Sequence, residues 1–180
     1  MHVHLVRGSV GVMASTAVAA VTGWLFWVVA TQHWPEKQIG VSTSLIAALT
    51  SIALLAGQPI ATSVLLRVPR STRRSALVGV GVGAAIVLAA VGSVVALAVL
   101  PATVGVVRTV GLATLFSVGA AAAAAAIVLD ASALAIRRPG LMVARNGLHG
   151  AGKLAIIGIL SIPAGLTAPF AVVGSWATLS

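Results

Sequence analysis

Polar and apolar positions do not alternate along this chain; they come in blocks. Uncharged, mostly apolar runs cover 8–35, 38–66, 75–107 and 109–129, and short basic segments separate them. A helix crosses a hydrocarbon layer of roughly 30 Å in about 20 residues, so each run is long enough for one crossing. The spans predicted are 10–30, 39–66, 76–100, 109–136 and 141–162, with a partial span over 167–180. Pro101 closes the third span, Arg137-Arg138-Pro139-Gly140 closes the fourth, and the stretch from Pro163 to Pro169 reads as a turn or broken helix. In lipid every backbone N–H and C=O must bond internally, so the segments are helices; transmembrane strands would need an alternating pattern, which is missing. The fold class expected is an all-α integral membrane protein, a single bundle of five to six transmembrane helices.

Composition supports the same class. The chain is 59% hydrophobic and 7% charged, against about 25% charged in a soluble domain. Its mean hydropathy is +1.14. A water-soluble globule is excluded. The first apolar run is about twenty residues, longer than the 7–15-residue core of a signal peptide. Trp24, Trp27 and Trp34 gather at its far end as interfacial anchors do, so it reads as a retained helix.

Eleven basic residues face two acids, Glu36 and Asp130, for a net charge of +9. On a soluble domain that excess would suggest nucleic acid. Here the charges sit in the gaps between spans, and aromatics are only 4%, so no stacking platform exists and no nucleic-acid partner is expected. A cytoplasmic N-terminus puts Arg7, Arg67, Arg70, Arg73, Arg74, Arg137, Arg138 and Arg145 inside, and leaves Lys37 and Arg108 outside. The positive-inside rule therefore fixes that orientation for a multi-pass protein of the cell membrane. A span from 167 has about fourteen residues, or about 21 Å of helix, too short to cross. The last helix is expected to be truncated; one long kinked helix from Lys153 onward is the alternative.

Material for catalysis is scarce. An acid–base pair needs two positioned titratable groups, and this topology puts Glu36 and Asp130 on opposite sides of the membrane. The histidines are His2, His4, His33 and His149; His2 and His4 could catch a metal adventitiously but have no acidic partner nearby in sequence, and cysteine is absent. Neither an enzyme, a metal site nor a cofactor is expected. The glycines of Gly79-Val-Gly-Val-Gly83 lie inside an apolar run, without the strand and acidic ligand of a nucleotide loop. They read as a helix contact face or as lipid-compatible filler, as do the seven alanines 120–126. Gln58-Pro59, inside the second span, marks either a hinge or a static kink. Asp130 is a candidate proton or cation site, or else a partner for Arg145 or Lys153.

The fifth span carries the most information. Arg145, His149 and Lys153 recur every four residues, so they stack along one helical face. They climb about 12 Å into the membrane. Such a stripe is costly unless it faces water, an acid or an anionic ligand. One reading is a ramp for an anionic lipid head group, with phosphate the natural match for Arg and Lys. The other is snorkelling to the phospholipid surface, which explains Lys153 least well.

Several of these features in this order resemble the N-terminal half of the polysaccharide and lipid-linked oligosaccharide flippases of the multidrug/oligosaccharidyl-lipid/polysaccharide exporter superfamily. They are Arg7-Gly-Ser9 before the first helix, Trp34-Pro-Glu-Lys-Gln-Ile-Gly40 between the first two, a basic loop over 67–74, and the basic-then-small stretch 137–153. The resemblance covers nearly the whole chain through short, degenerate motifs. It implies one bundle of a two-bundle transporter working by alternating access with a second helical bundle. It further implies that Arg145, His149 and Lys153 hold an anionic lipid-linked oligosaccharide by its pyrophosphate, with Asp130 available for ion coupling. The alternative is a small non-transporting membrane subunit or scaffold whose Gly/Ala faces dock partner helices.

Overall fold

The computed structural model describes residues 2–99, 110–138, 140–160 and 171–174. These form five long α-helices: α1 (His2–His33), α2 (Glu36–Arg67), α3 (Arg74–Val99), α4 (Val110–Ala135) and α5 (Gly140–Leu160), with a 3-10 turn over Val68–Arg70. No strand occurs among the described residues. The expected all-α membrane bundle is what the chain forms, and the five full spans match these helices to within a few residues except at the start of α1. Of the partial sixth span, residues 171–174 are helical; the rest, like the turn from Pro163 to Pro169, Arg108, and the side chains of His2, His4 and Arg7, lies outside the described residues.

Among the described residues, four helical segments are long and apolar enough to cross a membrane: Val12–His33, Glu36–Arg70, Arg74–Val99 and Val110–Ala135. The fifth expected span differs. At 21 residues, α5 has a length of about 31 Å, enough to cross, but its polar stripe keeps it from qualifying by composition alone.

Helix ends follow from local chemistry. Pro35 precedes α2 in an extended conformation, leaving Glu36 in the first turn, where its negative charge suits the helix dipole. The Arg138 amide bonds Ala133 O at 2.9 Å and the Arg137 amide bonds Leu134 O at 2.9 Å, which ends α4 in a Schellman motif. Arg137 fills the left-handed position, with φ 59°, where glycine is usual.

Packing divides the helices into two groups. In the first, α2 lies between α3 and α4. Ala53, Ala56, Ala61 and Val64 of α2 form a core with Ala85 and Ala89 of α3 and Ala124, Val128 and Ala131 of α4. Small residues bring these backbones close: a Cβ on Gly57 would lie 3.0 Å from Ala124 O, and one on Gly81 would lie 2.9 Å from Val64 Cγ2. In the second group, α1 runs alongside α5, with Gly150 against Thr22 and Phe26 against Ile157. Contact between the groups is sparse. At the end away from the Arg67–Arg74 segment, residues 171–174 bridge them: Val172 joins Phe26, Ala30, Ile46 and Ile157, and Val173 joins Leu45, Leu49, Leu112 and Phe116.

Two expectations about small residues resolve differently. Ala120 and Ala124 are fully buried, so part of the alanine run is a helix contact. Gly79 and Gly83 are not in one: both are exposed, with nothing within 4 Å of an added Cβ. The inward stripe of α3 is Gly81, Ala85, Ala89 and Ser93, two residues out of phase. A helix step of 100° per residue turns that offset into the opposite side.

Candidate functional site

The site begins with how α5 sits. In water an amphipathic helix turns its apolar side inward; in lipid the exterior is apolar, so a polar stripe turns toward the bundle. Leu141 and Leu148 are exposed on α5, as are Ala144, Ala151 and Ala155. Lys153 lies on the other side and is only 8% exposed. Its four-carbon stem is packed against the neighbouring helices.

Behind that stripe is a cavity of about 350 Å³ between the two helix groups. Its α5 wall carries Arg145, Asn146, His149, Gly150 and Lys153. Thr22, Phe26 and Trp27 of α1 face it, with Thr50 and Ala53 of α2 and Ala123 and Ile127 of α4. Small side chains on α2 and α4 leave the volume, and the apolar cluster around Phe26, Ile157 and Val172 lies beyond its deep end. The polar wall and an otherwise apolar lining are the usual composition of a pocket that orients a ligand by a few groups.

Three helices are tied together at the shallow end. Arg145 Nη2 donates to Asp130 Oδ2 of α4 at 2.8 Å and to Asn146 Oδ1 at 2.8 Å. Asn146 Nδ2 in turn donates to Ser15 Oγ of α1. The ion pair is partly exposed, 35% for the Arg145 side chain and 22% for Asp130, so its net contribution is about 1 kcal/mol or less. Arg145 Nε and Nη1 are buried and have no hydrogen-bond partner. Leaving donors of a charged group unmade costs about 1–3 kcal/mol or more.

All three stripe residues therefore line one cavity. Asp130 stands at its shallow end and takes the pairing with Arg145, one of its two expected roles. Gln58 and Pro59 lie apart from the site: both are exposed on the outer side of α2, between buried Gly57 and Ala61, and the helix runs through them from Glu36 to Arg67. Thr22, Trp27, Thr50 and Asn146 were not among the sequence candidates. Thr22 and Asn146 do carry a signal, since polar side chains inside membrane helices tend to sit at helix contacts. Thr22 spends its hydroxyl hydrogen on Val18 O at 2.8 Å, which leaves the oxygen able to accept. No group of three or more His, Asp or Glu side chains that could hold a metal ion occurs among the described residues.

The fold and site together define a class: an all-α bundle with helices long enough to cross a membrane and a partly open cavity between its helix groups, one wall of which carries Arg145, Asn146, His149 and Lys153. Comparison with protein-family models, curated proteins and solved structures finds no match.

Proposed function

We propose that this chain is one bundle of a flippase-like transporter that moves lipid-linked polysaccharide precursors across the cell membrane for export. The single observation that carries the reading is the stripe's position. Arg145, His149 and Lys153 line one cavity between the two helix groups, and Lys153 is buried there. One carboxylate, Asp130, offsets only part of that charge, and a phosphate or pyrophosphate is the ligand whose charge and acceptor oxygens suit it. At about 350 Å³ the cavity is near the lower end of the 300–1,000 Å³ range typical of small-molecule pockets. It takes the head group and leaves the apolar chain in lipid.

In this reading the N-terminus is cytoplasmic, Asp130 is the site through which a proton or cation is coupled, and a second helical bundle completes the transport path. The protein is a carrier, not an enzyme. The test neutralises Arg145 and Lys153 together, as Arg145→Gln with Lys153→Gln, in the export system. Export is lost while membrane insertion stays at the unsubstituted level; unchanged export removes the site assignment.

One observation favours a second reading, a non-transporting subunit that docks partner helices. Gly79 and Gly83 form an open notch on the exposed side of α3. A stable complex that copurifies through α3, with no effect on lipid-linked sugar, supports that reading over transport.

A further inference from the structure

The guanidinium of Arg145 is shared in an unusual way. A planar guanidinium offers two-pronged recognition along two edges, Nε with Nη2 and Nη1 with Nη2. Both edges run through Nη2. In this structure Nη2 is occupied by Asp130 Oδ2 and Asn146 Oδ1, while Nε and Nη1, one from each edge, are buried without partners. An anion that enters the cavity and grips Arg145 with two oxygens must therefore take an Nη2 hydrogen from one current holder. Asn146 is neutral and can stay beside an anion. Asp130 carries the same sign of charge as the ligand, so it is the one expelled.

That exchange has a mechanical consequence. Asp130 is on α4 and Arg145 on α5, so their ion pair joins the two helix groups at the shallow end of the cavity. Asn146 reaches Ser15 within the α1–α5 pair, so its bonds do not hold the groups together. We propose that the Asp130–Arg145 pair is a ligand-operated latch: a phosphate-type anion binding to Arg145 displaces Asp130 and releases α4 from α5. The inference deepens the proposed transport function and rests on its anion site. It supplies what that function needs, an occupied cavity that loosens the contact between its walls.

The chain has no cysteine, so spin labels can be placed at will. Leu129→Cys on α4 and Leu148→Cys on α5 put labels on exposed positions outside the cavity lining. Distances between them are measured by pulsed electron paramagnetic resonance on the full chain in detergent. The titrants are inorganic pyrophosphate and, separately, farnesyl pyrophosphate, and calorimetry follows binding of each. Saturable binding accompanied by a longer interlabel distance is expected; a response only to the farnesyl compound identifies a lipid head group as the source, and a response to both identifies the anion alone. Asp130→Asn, which removes the competitor, is expected to tighten binding by up to about fivefold, the equivalent of about 1 kcal/mol. Binding to the unsubstituted chain with no change in distance overturns the latch and leaves the anion site standing. Weaker binding by Asp130→Asn also overturns it, since Asp130 would then be holding Arg145 in place for the ligand. Absence of binding by either chain overturns the anion site itself, and the latch with it. If Asp130→Asn does not fold, the distance measurement on the otherwise unsubstituted chain decides alone.

Discussion

Gly150 is where α5 comes closest to α1, and replacing it with alanine tests whether the cationic wall is held by that contact. A Cβ added there would lie 2.5 Å from Thr22 Oγ1 and 2.7 Å from both Thr22 Cβ and Cγ2. Carbon atoms settle at about 3.5–4.0 Å, so the helices must part by on the order of 1 Å. Thr22 cannot rotate out of the way, because its Cβ is fixed to the backbone and β-branched side chains have few rotamers in a helix. Overpacking of this kind costs about 1–3 kcal/mol. The assay is equilibrium unfolding in mixed micelles, read by the fluorescence of tryptophans that include Trp24 and Trp27 on α1. Thr22→Gly costs stability alone but removes all three crowded atoms, so Gly150→Ala should be better tolerated beside it. A coupling energy of about 1–2 kcal/mol between the two substitutions is expected, within the range for residues in contact. If Gly150→Ala changes stability by less than about 0.5 kcal/mol, or if the two substitutions are additive, the α1–α5 packing described above is wrong.

Gly57→Ala should cost a similar amount, about 1–3 kcal/mol, because its Cβ meets the Ala124 backbone oxygen at 3.0 Å. Gly40→Ala, with nothing within 4 Å, should instead be neutral or stabilising by up to about 1 kcal/mol; thermal unfolding of the two variants in the same detergent compares them. Arg137→Gly should stabilise the end of α4 by about 1 kcal/mol, since φ 59° strains any residue with a Cβ, whereas Arg137→Ala should give no such gain. The difference between those two variants is the readout.

The helices were legible because the lipid solvent leaves the backbone one solution per apolar run, and because arginines and prolines mark the gaps. The stripe on α5 was legible as a face for the same geometric reason. Which way it points follows from Leu141, Ala144, Leu148 and Ala151 on the other side, since lipid requires the apolar side outward. Of the two readings open for Gly79 and Gly83, contact face or lipid-compatible filler, neither glycine makes a contact with another helix of this chain. Nearly every position from Val78 to Ala90 is small or apolar, so several helical stripes are equally plausible and only the partner helix selects Gly81, Ala85 and Ala89. The cavity itself was not legible. It arises where small side chains of α2 and α4 face α5 across two sparsely joined groups, a relation between distant segments that leaves no local pattern. Asn146 and Thr22 belong to that relation too, and each looks like an isolated polar residue until the helices are brought together.

The central claim is that Lys153 belongs to a cavity and not to the lipid-facing surface, and scanning its helix with thiol reagents in native membranes tests it most directly. Lys153→Cys and His149→Cys are compared with Leu148→Cys and Ala151→Cys in this cysteine-free chain, using a charged, water-soluble methanethiosulfonate. The account predicts reaction at 149 and 153, protection of both by inorganic pyrophosphate, and little reaction at 148 and 151. Reaction at 148 and 151 with none at 149 and 153 contradicts it.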